Sequence, residues 1–128
     1  MDYTNRTSTD DLYKLCDNLN IKNIIICRKG ELKKYLNNKN INNFIINLDD
    51  IGPGTHWCAL YKPKKMYFDS YGQPFSKEIP KNYKQASTKK ELQSIDSEMC
   101  GSLCCLWLYY VNFKSNKNYY ELFKDCYA

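Results

Sequence analysis

The sequence predicts an α+β fold in which helices pack on a central antiparallel sheet. Three runs rich in β-branched and aromatic residues, at 44–48, 55–61 and 65–69, follow one another in the middle of the chain. A Gly-Pro-Gly segment at 52–54 and a proline at position 63 separate them, as expected of strands joined by turns. Apolar residues at helical spacing lie before and after these runs, which is typical of the α+β class.

Length and composition limit the size and the class of the protein. With 128 residues, 43% of them hydrophobic, the chain suffices for one domain spanning 1–128 with one core. A formal net charge of +5 favours acidic partners without identifying any. Residues 1–20 lack the apolar run of a secretory signal, so we expect a protein that is not secreted and whose seven cysteines are reduced. The longest apolar stretch, 103–111, is too short to span a bilayer, and we expect no membrane partner.

The first third of the chain predicts a capped helix and a buried strand. Ser8 or Thr9 can cap the helix. Its apolar face consists of Leu12, Leu15, Cys16 and Leu19. We then expect a strand at 24–27, a short turn or helix at 30–35 and an Asn-rich surface loop at 37–43.

The last part of the chain predicts two further helices. Residues 70–90 are typical of a surface connection, and 92–95 predicts another short strand. Residues 100–113 are apolar almost all round, which favours a helix buried in the core. A final helix at 118–126, capped by Asn118, has its apolar face at Tyr119, Leu122, Phe123 and Cys126.

One histidine and one aspartate stand at the ends of neighbouring predicted strands. A lone histidine is more often an ordinary core or surface residue, and a strand-end aspartate more often caps a turn. If the two strands pair, however, Asp69 can accept the Nδ1 hydrogen of His56, fix its tautomer and stabilise the imidazolium. The pair would then supply a general base with its orienting group.

Cys100 begins the predicted buried helix, where helix N–H groups and the helix dipole favour a thiolate. Gly101 would let a substrate backbone pass close to the sulfur, and first-turn N–H groups can face a developing oxyanion. Gln93, seven residues earlier, is a weak candidate for a second oxyanion donor. Ordinary buried thiols are the simpler interpretation for Cys104 and Cys105, which fall inside the helix.

A metal site is the competing chemical hypothesis for these residues. Cys100 and Cys104 are one helical turn apart, and His56 could join them. We favour the nucleophile because no Cys-x-x-Cys pair or usual zinc spacing is present. We therefore expect no required cofactor or metal.

Together these segments resemble the adenovirus protease (adenain) family of cysteine proteases, in the version encoded by Polinton or Maverick elements, virophages and some large DNA viruses. The resemblance is carried by Gly-Thr-His-Trp (54–57), Tyr-Phe-Asp-Ser-Tyr-Gly (67–72), Gln93, Met-Cys-Gly (99–101) and Leu-Cys (103–104). The order His, Asp, Gln, Cys is also that of the related proteases of ubiquitin-like modifiers.

The resemblance implies a single protease domain with a papain-like fold in circularly permuted order. It implies Cys100 as nucleophile, His56 as base, Asp69 as orienting residue and Gln93 as oxyanion donor. It also implies cleavage of viral capsid or core precursors, at Gly-containing sites, during particle maturation inside the virion and the host cell (cytoplasm or virus factory). The adenoviral enzyme has Glu in place of Asp69, and activation by a peptide or DNA is left open.

Two alternative functions remain open at this point. Cleavage of ubiquitin-like conjugates would use the same four residues. A non-catalytic module would instead hold nucleic acid or virion proteins through a basic surface. The lysines of that surface are Lys62, Lys64, Lys65, Lys77, Lys81, Lys84, Lys89 and Lys90.

Overall fold

The computed structural model describes residues 8–48, 56–70, 77–86 and 100–122, which fold into helices and one sheet. The helices in these ranges are α1 (Thr9–Asn18), α2 (Leu32–Leu36), α3 (Cys100–Phe113) and α4 (Asn116–Leu122). The strands are β1 (Ile24–Arg28), β2 (Asn43–Asn47), β3 (Trp57–Tyr61), β4 (Met66–Phe68) and β5 (Lys84–Gln85). Two short 3-10 helices, Lys29–Glu31 and Lys62–Lys64, lie between them. The α+β class is confirmed.

The sheet has its five strands in chain order and is mixed. The central pairs, β2 with β3 and β3 with β4, are antiparallel as predicted. The outer pairs, β1 with β2 and β4 with β5, are parallel, so the prediction of an antiparallel sheet is wrong at both edges. A parallel pair needs a crossover, which α2 provides between β1 and β2. The surface connection predicted at 70–90 contains the unpredicted strand β5, and the strand predicted at 92–95 lies outside the described residues.

Each face of the sheet is covered by a separate cluster of buried side chains. One cluster joins the sheet to α1, α3 and α4, and its strand residues are Ile26, Ile45, Trp57, Ala59 and Phe68. The other joins the sheet to α2 and to residues 79 and 83, and its strand residues are Cys27, Phe44, Ile46, Cys58, Leu60 and Tyr67. Alternate residues of each strand therefore face opposite clusters. Burial on both faces explains why the strands appear as continuous apolar runs.

Helix α3 has the predicted bounds and lies in the core. It packs against β3 and α1. Trp107 is fully buried and stacks on Phe68 of β4 with ring centroids 5.2 Å apart. Cys105 of α3 and Cys16 of α1 are buried free thiols whose sulfurs lie 3.4 Å apart. These contacts fix the start of α3 beside the sheet.

The helix caps are predicted with unequal success. Ser8 caps α1 as expected, since its side chain accepts a hydrogen bond from Asp11 N at 3.1 Å. Helix α4 begins earlier than predicted because Ser115 Oγ, and not Asn118, accepts the first-turn N–H, from Asn118 itself at 3.0 Å. Tyr119 is buried as expected, whereas Leu122 at the helix end is 58% exposed. Residues 123–126 of the predicted helix lie outside the described ranges.

The helices of the described ranges are short compared with the thickness of a bilayer. None of them is long and apolar enough to cross a membrane. The longest, α3, has 14 residues, against the roughly 20 that a spanning helix needs.

Packing of α3 predicts a large difference between two leucine substitutions. Leu108 in α3 is fully buried, so Leu108→Ala should lower the free energy of unfolding by about 2–5 kcal/mol. Leu122→Ala is the matched control, because the same methylene groups are removed from an exposed position, and its effect should stay within about 0.5 kcal/mol. Urea denaturation of the two variants measures both values. Equal losses would contradict the described packing of α3.

Candidate active site

His56 and Asp69 meet at one end of the central hairpin. His56 immediately precedes β3, and Asp69 immediately follows β4. The two strands pair antiparallel with Ala59 opposite Phe68, so the start of β3 and the end of β4 lie at the same end of the sheet. His56 Nε2 lies 2.9 Å from Asp69 Oδ1, which is hydrogen-bond length. The hairpin thus brings the two side chains together, as the sequence suggested.

The ring nitrogen that contacts the carboxylate is Nε2, and the expectation that it would be Nδ1 is wrong. Nε2 is the ring nitrogen farther from Cβ, and the ring has to reach from the start of β3 to Asp69, which follows β4. The Asp69 side chain is fully buried, whereas 18% of the His56 side chain is exposed. The carboxylate therefore holds the ring from the interior of the protein, and solvent reaches it from the other side.

Cys100 is the third predicted residue that the structure brings to this place. It is the first residue of α3, as predicted, and its sulfur accepts a hydrogen bond from the backbone N–H of Trp57 at 3.3 Å. Its side chain is also hydrogen-bonded to His56. The packing of α3 on β3 thus places the thiol beside the imidazole. Gln93, the fourth predicted residue, lies outside the described residues.

The surroundings of His56 favour its protonated form. Burial disfavours the charge, but hydrogen bonds to Asp69, Cys100 and Cys58 outweigh it and raise the pKa of His56 to about 12. An ordinary histidine loses its proton near neutral pH. His56 is therefore an imidazolium at neutral pH, held by the buried carboxylate of Asp69 and by the neighbouring thiols.

Cys58 belongs to the site, although no role was predicted for it from the sequence. It is fully buried, and its sulfur lies 3.1 Å from the hydroxyl of Tyr67. Burial raises the pKa of the Cys58 thiol to about 11, although the hydrogen bond with His56 opposes this. The signal that was available is spacing. Residues two apart on a strand face the same side, so the predicted strand at 55–61 already implies that His56 and Cys58 are neighbours, an inference that was not drawn from the sequence.

Three side chains of the site could hold a metal ion. One ligand atom from each of His56, Cys58 and Asp69 lies within 4.8 Å of the other two. The metal site considered from the sequence consisted of His56, Cys100 and Cys104. In the structure, Cys58 and Asp69 accompany His56 instead. Nitrogen, sulfur and carboxylate oxygen are the donors of zinc sites.

Gly101 has a packing role that the sequence analysis did not foresee. A Cβ at this position would lie 3.0 Å from Leu12 Cδ2 and 3.2 Å from Trp57 Cδ1. The missing side chain therefore lets α3 approach α1 and β3 closely, and the space beside Gly101 is filled by protein. Trp57 is 6% exposed and lies in the cluster on the α3 side of the sheet, away from Cys58.

A groove lies at the same end of the sheet as His56. It has a volume of about 330 Å³, and its walls include the ends of β1 and β2 and the start of β3. Trp57, the neighbour of His56 in the chain, is one of its lining residues, together with Arg28 and Asn47. A second cavity of similar volume, beside Asn23 and Asn42, lies at the opposite end of the sheet. Position alone makes the first groove the better candidate for substrate.

Comparison with known proteins gave no relative. No protein-family model matches the chain, and no curated protein matches it either. A function for the chain therefore has to be inferred from the geometry of His56, Asp69 and Cys100 and from the resemblance of its short segments to those of the adenain family.

The single histidine of the chain allows a direct test of the charged site. Because the pKa of His56 is raised to about 12, its ring signals should not titrate between about pH 5.5 and 9, where an ordinary histidine does. Asp69→Asn should move the midpoint down towards 6.5 by removing the charged acceptor. Nitrogen-15 NMR of the imidazole measures both.

The same protonation stabilises the fold. Its contribution is fully present below pH 6.5 and is lost as the pH rises through about 12, because the folded state binds the proton more tightly than the unfolded chain. A wild-type midpoint near 6.5 would show that the charged pair does not form.

Proposed function

We propose that the protein is a cysteine endopeptidase with Cys100 as nucleophile, His56 as proton acceptor and donor, and Asp69 as the residue that positions His56. One observation carries the proposal: the imidazole of His56 is hydrogen-bonded to a buried carboxylate and interacts with the thiol at the start of α3. A nucleophile, a base and an orienting group in contact form the general arrangement of covalent acyl-transfer catalysts. The resemblance to the adenain family assigns the same roles to the same residues.

The reaction follows from these contacts. The Cys100 thiolate attacks the scissile carbonyl carbon, and the carbonyl oxygen takes up the negative charge. His56 then gives its proton to the leaving amine, and a thioester to Cys100 remains. Water attacks the thioester while His56 accepts its proton, which releases the acid and restores the thiolate–imidazolium pair. Asp69 accepts a hydrogen bond from Nε2 throughout and stabilises the imidazolium.

The developing oxyanion needs donors close to the sulfur. The first N–H groups of α3 have no acceptor within the helix, and the helix dipole also favours negative charge there. We propose Gln93 as a second donor, on the basis of the resemblance alone. Since the Cys100 side chain is fully buried and His56 is partly exposed, substrate approaches from the His56 side.

The proposed substrates are viral capsid or core precursors cut at Gly-containing sites during particle maturation, within the virion or the host cell. This part of the proposal comes from the resemblance. The groove beside Trp57 adds a place of suitable size for substrate residues next to the cut. Proteases of ubiquitin-like conjugates use the same residues, so only a panel of substrates separates the two activities.

The alternative function, a non-catalytic module that binds nucleic acid or virion proteins through a basic surface, receives less support. Lys62 Nζ donates hydrogen bonds to the carbonyl oxygens of Leu36 and Asn38, at 3.1 and 2.8 Å. This lysine therefore holds the turn after β3 against the end of α2. Lys64, Lys65 and Lys84 are exposed, as lysines of a solvated face usually are.

Selective alkylation tests the nucleophile. We expect iodoacetamide at neutral pH to modify Cys100 faster than a free thiol, because its sulfur lies at the start of α3 and beside the His56 imidazole. Cys100→Ala should abolish peptide cleavage, and Cys16→Ala, which removes a buried thiol outside the groove, should leave it within a few-fold. Peptide mapping by mass spectrometry gives the labelling rate. Unchanged cleavage by the Cys100→Ala variant would overturn the proposal.

A matched peptide series tests the shape of the cleft. Peptides with Gly, Ala or Leu before the scissile bond should be cut with falling kcat/KM, since overlap with a rigid wall cannot be relaxed cheaply. Trp57 already packs against Gly101, so its position in the groove is fixed. Equal values of kcat/KM for the three peptides would exclude a narrow cleft and leave the catalytic assignment intact.

A further inference from the structure

The His56 end of the hairpin holds more donor atoms than acyl transfer requires. Continuing the register of β3 and β4 by one residue places Cys58 opposite Asp69. His56 lies two residues before Cys58 and contacts both. An imidazole nitrogen, a thiol sulfur and a carboxylate oxygen therefore converge within 4.8 Å of one another. Cys58 has no part in the proposed reaction.

The separations suit a tetrahedral ion. Bonds of about 2.0–2.3 Å to zinc place neighbouring ligand atoms about 3.3–3.8 Å apart. The three donor atoms are between 2.9 Å, for His56 Nε2 and Asp69 Oδ1, and 4.8 Å apart at most. Small movements of the side chains therefore bring all three to bonding distance of one point.

Surrounding groups support the ligands and leave one side open. The Tyr67 hydroxyl lies 3.1 Å from Cys58 Sγ and can hydrogen-bond a coordinated thiolate, as outer partners of metal ligands commonly do. Cys58 and Asp69 are fully buried, so an ion enters along the partly exposed His56 ring. The same side is where a water molecule would complete the coordination.

We propose that His56, Cys58 and Asp69 form a binding site for a zinc ion, with Cys100 outside the ligand set. On binding, the thiol proton of Cys58 and the proton on the coordinating His56 nitrogen leave to solvent. The ion replaces the proton between His56 and Asp69. Mixed nitrogen, sulfur and oxygen donors favour zinc over magnesium or calcium, which take oxygen ligands.

The consequence for activity rests on the proposed function: a zinc ion on His56 would block proton transfer to the leaving amine. Zinc binding itself does not depend on that function. It is therefore measured in the Cys100→Ala variant, which has no nucleophile. Generic capture of zinc by a catalytic Cys–His pair would be lost in this variant, whereas the proposed site is retained.

The experiment titrates zinc into the Cys100→Ala protein in competition with a chromophoric chelator, and titrates cobalt separately to detect thiolate-to-metal charge transfer. We expect one zinc ion per chain and a charge-transfer band from Cys58. Adding Cys58→Ala should remove the band and weaken zinc binding by more than the roughly 10–100-fold that loss of an outer partner costs. Adding Cys27→Ala, the matched buried thiol, should change neither.

Two further variants protect the result against misfolding. Cys58→Ser keeps the size of the side chain, and Asp69→Asn keeps its shape, so both should reduce zinc affinity while the NMR spectrum stays that of a folded protein. The proposal is overturned by loss of zinc binding in Cys100→Ala alone, by equal affinities of the Cys58→Ala and Cys27→Ala variants, or by bound cobalt without the thiolate band. Absence of protease activity in the wild-type protein would leave these outcomes unaffected.

Discussion

The antiparallel pairing of β3 with β4 is the constraint on which the rest of the site depends. It places the residue before one strand next to the residue after the other, which is how His56 and Asp69 meet. Helix α3 packs against β3, and its first residue, Cys100, lies at the same end of the sheet as His56. A shift of one residue in this pairing would turn Asp69 to the opposite face of the sheet and separate the two side chains.

The site also shows how a charged group is kept in a largely apolar core. Desolvation works against an imidazolium, and the structure offsets it with a fully buried carboxylate at 2.9 Å and with two thiols. The balance depends on each partner, because removing one member of a buried pair leaves the other charge uncompensated. The stability of the fold and the charge of His56 thus depend on the same few hydrogen bonds.

Much of the site follows from local sequence patterns. A glycine-containing turn before a strand and an aspartate after the next strand were sufficient to pair His56 with Asp69, and an apolar helix beginning at Cys100 was sufficient to place the thiol. The sequence could not predict which nitrogen of His56 contacts Asp69, because that depends on the distance from the start of β3 to the end of β4. Cys58 was missed because a buried thiol on a strand looks like any small apolar residue until its neighbours are known.

The errors in the fold have a similar physical origin. Strand direction at the sheet edges depends on connections, and composition says little about whether a segment crosses over or turns back. The two-residue strand β5 carries no periodic signal. Ser115 and Asn118 are both good capping residues, and tertiary packing of Tyr119 against Phe68 decides which of them begins α4.

The contact between α1 and α3 has a consequence for the order in which the protein assembles. Cys16 and Cys105, whose sulfurs touch, are 89 residues apart in the chain, whereas β1 to β4 pair with sequence neighbours. Closing so long a loop costs entropy that only the finished core repays. During synthesis the central strands can therefore pair early, but α1 remains without its partner until the ribosome has released α3. The thiol at the start of α3 reaches His56 in that same late step, so a growing chain does not yet hold Cys100 beside His56 and Asp69.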